Sequence, residues 1–271
     1  MGNINRAKSA FKLFKKFIVY KLKSRHRKGF RIHSPFLFAL VNKGFREECS
    51  TSVKKGAAKY SEELKKINTA ISRSNFGAGS LLYAGNKMEA PAAINQSIGM
   101  PKKHGELLHK LSKYYGSTGI LELGTGLGSS AYYLATGAPT AKVVTVEGHK
   151  EYSETAKKIL SQVGIENIEY RIGSFINEIE TLKQEKARFG MFFIDGDHSY
   201  APTLEHFNRC LQLATDNAVI VIDDIHWSDE MDKAWNAIKE HPECRVSVDL
   251  FRFGLVFTNK KLQQQHYLVR Y

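Results

Sequence analysis

The feature that most constrains this 271-residue chain is an alternation. Beyond residue 118, short apolar runs at 119–123, 142–147, 168–172, 190–194, 218–222 and 245–251 are separated by helix-length amphipathic stretches at 128–136, 150–163, 175–186, 201–214 and 229–241. Continuously apolar runs belong to strands buried on both faces, and helix-length crossovers join strands that run parallel. A Rossmann-like, doubly wound α/β sheet follows. A seventh run, 254–259, comes so soon after the sixth, around Phe253 and Gly254, that the two are antiparallel. The expectation is a mostly parallel seven-stranded sheet whose edge is closed by a C-terminal hairpin.

The first run leads directly into glycines. In ILELGTGLGSS (120–130), Gly124, Gly126 and Gly128 lie between a strand and a helix, where an α/β sheet brings backbone close to a nucleotide-like ligand. The spacing is GxGxG and not GxGxxG, and Glu122 stands two residues before the first glycine. A carboxylate there suits the sulfonium and amino-acid portion of S-adenosylmethionine and would repel a pyrophosphate. Glu122, Gly124, Thr125, Gly126, Gly128 and Ser130 are therefore candidate cofactor contacts, although Ser129 and Ser130 also serve to satisfy donors at a helix start. Glu147 ends the second run in VVTVEGH, 23 residues after Gly124. An acid at this distance accepts ribose hydroxyls; a capping acid in the loop is the alternative.

Two further loops carry carboxylates. Asp195 and Asp197 follow the fourth run, and Asp223 and Asp224 follow the fifth. Adjacent parallel strands end on one side, so these acids converge and repel one another unless a cation sits among them; an oxygen-only set suits Mg²⁺. The alternative is that Asp197 caps a helix and Asp223 or Asp224 orients the cofactor. Ser174 and Phe175, after the third run, fall near where an adenine lies in this kind of fold, although a loop serine and a core phenylalanine account for them too.

The segments ELGTGLGSS, VEGH, FIDGDHSY (193–200) and VIVIDDIHW (219–227) together resemble class I S-adenosylmethionine-dependent methyltransferases. Within these, they are similar to the metal-dependent O-methyltransferases of the catechol and caffeoyl-CoA type and their sugar-methylating relatives. The resemblance covers about residues 95 to 259. Residues 1–94, with HSPF and NFGAGS, resemble a subgroup from Bacteroidetes-type bacteria and supply no substrate. The resemblance implies metal ligands at Asp195, Asp223 and Asp224, with Asp195 also near the cofactor. Asp224 departs from the asparagine of the catechol type and matches the sugar type. His198 lies where catechol-type enzymes place a catalytic lysine, so His198 and Asp195 are the candidate catalytic pair, with His198 as proton acceptor. His226 faces the same edge; a hydrogen-bonded structural histidine is the alternative for each.

Charge separates the chain into two parts. Of 40 Lys and Arg against 27 Asp and Glu, residues 1–66 hold 18 and 4, a balance of +14, leaving 22 against 23 elsewhere. We expect a basic, mainly helical accessory segment at 1–94 and a methyltransferase domain at 95–271. Residues 7–23 read as an amphipathic helix with Phe11, Phe14, Ile18 and Leu22 on one side and lysines largely on the other. Its apolar side suits packing on its own chain, a homodimer, or an anionic membrane; nucleic acid fits less well. No run approaches the roughly 18 apolar residues of a membrane span. Three widely spaced cysteines, Cys49, Cys210 and Cys244, fit a reduced, cytoplasmic protein, peripheral on the inner membrane face if the helix docks there. The predicted activity is Mg-assisted O-methylation of a small-molecule, sugar or lipid-linked hydroxyl. An RNA-directed or metal-independent methyltransferase and a non-catalytic cofactor-binding scaffold are the alternatives.

Overall fold

The computed structural model describes residues 2–24, 34–73 and 88–271; His33 of HSPF and the NFGAGS stretch at 75–80 lie outside them. In chain order the N-terminal elements are α1 (Gly2–Lys23), α2 (Pro35–Ala39), which continues into a single π turn, α3 (Thr51–Lys65), the two-residue strands β1 (Ile71–Ser72) and β2 (Met88–Glu89), α4 (Pro91–Ile98) and α5 (Lys102–Tyr115). The polar stretch 59–73 reads as one helix in sequence, whereas α3 ends at Lys65 and β1 takes Ile71–Ser72.

The alternation then appears as β3 (Ile120–Leu123), α6 (Ser129–Gly137), β4 (Val143–Glu147), α7 (Lys150–Gln162), β5 (Ile168–Ile172), α8 (Phe175–Gln184), β6 (Phe189–Ile194), α9 (Tyr200–Leu213), β7 (Ala214–Ile222), α10 (Asp229–Lys239), β8 (Val246–Asp249), β9 (Gly254–Phe257) and β10 (Gln265–Leu268). The main sheet has the order β10-β8-β9-β7-β6-β3-β4-β5. Strands β3 to β7 pair in parallel, and β9 is antiparallel to both β7 and β8. The hairpin therefore does more than close an edge: its second strand inserts between β7 and β8. An eighth strand, β10, unforeseen in the polar C-terminal sequence, pairs in parallel with β8 at the margin.

The period-2 geometry of the strands sorts the core. Leu121, Leu123, Phe192, Ile194, Ile220 and Ile222 face one layer of helices. Ile120, Met191, Phe193, Val219 and Val221 face the other, where Leu37, Val53, Tyr60 and Leu64 from the N-terminal segment join the same apolar cluster. Register sets the functional edge. Leu123 pairs with Ile194, and Ile194 with Ile222; the ladder continues from Asp195 N–H to the Leu123 carbonyl and from Asp223 N–H to the Ile194 carbonyl. The tips of β3, β6 and β7 consequently lie side by side.

Helix α1 packs differently from its sequence pattern. Phe11 and Phe14 are each 59% exposed and Leu22 76%, so the apolar stripe faces solvent. Contact is made by the flank carrying Phe17 and Tyr20, whose rings lie 5.0 and 5.2 Å from Phe251, and by Lys12 and Lys16, which pair with Asp229 and Asp232 on the acidic first turn of α10. Among the described residues no helix is long and apolar enough to cross a membrane.

Candidate active site

The glycine loop is built against its neighbours as much as toward a ligand. Gly124 has φ +104°, and a Cβ there would lie 2.0 Å from the Asp195 carbonyl oxygen; only glycine lets the two strand tips approach so closely. Gly126, with φ +51°, is different, because its Cβ would meet nothing nearer than Ile98 Cδ1 at 3.6 Å. Its N–H donates to Glu147 Oε2 at 2.9 Å, and Oε1 accepts from His149 N–H, also at 2.9 Å. The Glu147 carboxylate is thus fixed beside the loop. Burial raises its pKa, opposed by the N–H groups of His149, Gly126 and Gly148.

Beneath the loop, Glu122 is fully buried. Thr125 donates to Thr145 at 2.6 Å, Thr145 donates to Glu122 Oε2 at 2.6 Å, and Ser130 also bonds this carboxylate. Oε1 is left without a hydrogen-bond partner among the described residues. Burial, with smaller contributions from Asp195 and Glu147, pushes the Glu122 pKa up to about 8 against the pull of Ser130 and Thr145. Thr125 and Ser130 therefore serve this buried network instead of offering hydroxyls at the surface of the loop. Ser129 accepts from Met100 N–H at 2.8 Å, and Gly128 caps α6 with a left-handed backbone.

Two other expected contacts have structural duties. Ser174 caps α8 by accepting from Asn177 N–H at 3.3 Å. Phe175 backs the next loop: a Cβ on Gly196 would fall 2.5 Å from its ring, and the ring meets His206 edge-on at 5.2 Å.

The acidic loops carry positive φ at three non-glycine residues, Asp197 (+60°), His198 (+26°) and Asp224 (+52°), and the neighbouring β8–β9 turn at Phe251 (+73°). Such strain gathers where a fold over-determines its geometry for function. Asp195 Oδ1 pairs with His198 Nε2 at 3.3 Å, while Asp197 turns away toward His206 at 3.7 Å. Burial would lower the His198 pKa, but the hydrogen bond and charge of Asp195, aided by Asp224 and Asp223, hold it at about 9. His226 is pinned at both ring nitrogens, by Asp232 at 2.6 Å and Asp249 at 2.8 Å. Burial lowers its pKa, and these two acids more than reverse the effect. It is a structural residue fixed at both nitrogens, and His198 is the histidine left to face the site.

Arg252 is the residue that sequence reasoning missed. Its Nε and Nη2 donate to Asp223 Oδ1 and Oδ2, each at 2.8 Å, and Nε lies 3.7 Å from Asp224 Oδ1. Asp224 N–H adds a third donor to Asp223 Oδ1 at 2.8 Å. Burial, Asp224 and Asp195 raise the Asp223 pKa and Arg252 opposes them; Arg252 itself, lowered by burial, is held higher still by Asp223. The expected Mg²⁺ set of Asp195, Asp223 and Asp224 does not fit a divalent ion as placed, because a guanidinium takes both oxygens of its central member. Among the described residues no three metal-binding side chains gather.

The N-terminal segment borders both ends of this edge. On the Glu147 side, Ser72 bonds His149 at 3.0 Å, and Tyr60 donates to the Leu127 carbonyl at 2.8 Å. On the Arg252 side, Lys16 reaches the His226 carbonyl at 3.3 Å.

The sheet order, with a glycine loop at the tip of its central strand, defines a Rossmann-like methyltransferase fold. Cofactor-bound Rv0187 from MTB superposes with a TM-score of 0.55 at 21% identity, over 83% of this chain and 94% of that one. The O-methyltransferase of Bacillus cereus in complex with SAH gives 0.51 at 18% identity, over 73% and 83%. At these identities the likeness is one of fold. The O-methyltransferase family profile matches residues 85–266, and the chain belongs to that family. A catechol O-methyltransferase of Niastella koreensis is 30% identical over 132 residues, 48% of this chain and 59% of its own length. An O-methyltransferase of Aspergillus flavus is 28% identical over 111 residues, 39% and 44% of the respective lengths. The chain thus spans about half the length of these curated relatives.

Proposed function

We propose that this chain transfers a methyl group from S-adenosylmethionine to a hydroxyl oxygen of a small molecule. The observation that carries the reading is Glu147, fixed by the N–H groups of Gly126 and His149 beside a glycine whose Cβ would meet only the tip of Ile98, at 3.6 Å. Glu147 would hold the ribose hydroxyls, and the Gly124–Gly128 loop would cradle the amino-acid portion. Glu122 lies under the loop with one oxygen unpaired among the described residues; a cation above it would be favoured and would draw its pKa back down. When bound, the cofactor supplies an electrophilic methyl group on a sulfonium.

The remaining chemistry falls to residues at the tips of β6 and β7. His198 receives the acceptor's proton, with Asp195 orienting the ring. Because Asp195 keeps His198 protonated at neutral pH, the base is available only as pH rises, so transfer accelerates toward alkaline pH. No step is assigned to Mg²⁺, since Arg252 already engages Asp223. The acceptor class we favour is a small-molecule, sugar or lipid-linked hydroxyl. The test is incubation with methyl-labelled S-adenosylmethionine and a panel of catechols, phenols and sugars, scored for a product heavier by one methyl group; the reading requires transfer to oxygen in at least one acceptor.

A peripheral membrane contact through residues 7–23 is the second proposal, favoured by the outward stripe of Phe11, Phe14, Ile18 and Leu22. Such a face, with lysines beside it, suits the inner surface of an anionic membrane. We place the accessory segment at 1–94 and the methyltransferase domain at 95–271, with the accessory segment covering both ends of the site.

A further inference from the structure

We infer that Arg252 takes the position a divalent ion would otherwise hold, so that methyl transfer by this chain is independent of divalent metal and the acceptor oxygen meets a guanidinium. The functional half of this inference rests on the methyl transfer proposed above; the binding half rests on geometry alone.

A carboxylate offers about four lone-pair positions. At Asp223, three are taken, by Nε and Nη2 of Arg252 and by Asp224 N–H, all at 2.8 Å. Asp223 is 1% exposed, so water cannot replace Arg252 if the pair opens. The same guanidinium lies 3.7 Å from Asp224, and the third carboxylate, Asp195, is paired with His198 at 3.3 Å. Each of the three acids therefore has a cationic or imidazole partner supplied by the chain. A divalent ion would have to expel a bidentate partner from a desolvated carboxylate, a poor exchange for an ion that needs several unshared oxygens.

Arg252 also has donors to spare. Its side chain remains 29% exposed, and Nη1 makes no hydrogen bond among the described residues. The backbone of its loop is fixed, since Ile225 N–H donates to the Arg252 carbonyl and Phe251 is held at φ +73°. A hydroxyl oxygen beside Nη1 would be stabilised as it loses its proton to His198. Its lone pair then forms the new O–CH₃ bond, and the C–S bond breaks with its electron pair going to sulfur, which changes from sulfonium to neutral thioether.

Two measurements on the full chain test this. Titration with Mn²⁺, followed by the electron paramagnetic resonance of the free ion, is expected to show no uptake by the wild type at millimolar metal. Stoichiometric uptake that Asp223→Asn abolishes would overturn the binding half. Methyl transfer is expected to be unchanged by a chelator and to lose about tenfold or more in kcat/KM for the acceptor in Arg252→Lys, with KM for the cofactor preserved. Loss of turnover on chelation, or an unchanged Arg252→Lys, overturns the functional half. The lysine variant keeps a positive charge near Asp223, and the wild-type titration does not depend on any variant folding. Calorimetry with S-adenosylhomocysteine on the same sample separates the two readings: absence of binding sinks the proposed methyl transfer while the Mn²⁺ result still decides the place of Arg252.

Discussion

At the scale of single residues, the site is a set of mutual constraints. Asp195 holds a proton on His198, and NMR of the imidazole is expected to give a pKa of about 9; Asp195→Asn brings it down toward the ordinary 6.5. The sign for stability follows from a raised imidazole pKa. The pair stabilises the fold fully below about 6.5, and the contribution disappears as pH climbs through about 9. The alkaline limb of the rate profile shares this origin, so Asp195→Asn shifts it to lower pH. Gly124→Ala forces a Cβ to 2.0 Å from the Asp195 carbonyl at φ +104°, and chemical denaturation is expected to show a loss of about 3 kcal/mol. The places of Glu122 and Gly124 at the end of β3 and of Glu147 at the end of β4 were legible, because strand, turn and helix are local. Arg252 was not legible. It reaches Asp223 only because β9 inserts beside β7, with Gly254 opposite Ile222, and a hairpin read as an edge gives no reason to place its turn there.

At the scale of elements, apolar runs and crossovers located β3 to β9 to within a few residues, since burial on both faces demands unbroken apolar sequence. Strand β10 escaped notice because QHYL is an edge strand that need not be apolar. In α1, the pattern was legible and its partner was not. The residues that dock, Phe17 and Tyr20 together with Lys12 and Lys16, mix apolar and charged types, while the clean stripe of Phe11, Phe14, Ile18 and Leu22 is left outside. The two faces should therefore respond differently. Tyr20→Phe removes a 2.6 Å hydrogen bond to the Val269 carbonyl and is expected to cost about 1 kcal/mol in thermal or chemical unfolding. The double substitution Phe14→Ser, Leu22→Ser changes stability by no more than about 0.5 kcal/mol, and it lowers cosedimentation with phosphatidylglycerol vesicles. Retention of full vesicle binding by that variant would remove the membrane proposal.

For the whole molecule, the +13 balance divides between an accessory segment and a sheet domain that is nearly neutral. The accessory segment lies along the site, touching the glycine loop through Tyr60, the turn after β4 through Ser72 and His149, and the Arg252 loop through α1. On the membrane contact proposed above, it would join admission of the acceptor to attachment at a surface. In the function proposed, Glu147 and the glycine loop would hold S-adenosylmethionine for methyl transfer. Calorimetric titration of S-adenosylhomocysteine tests it most directly. The wild type is predicted to bind one equivalent, and Glu147→Ala, folded as judged by circular dichroism, to bind about tenfold or more weakly. A wild type that binds none, or a Glu147→Ala that binds equally well, would contradict it.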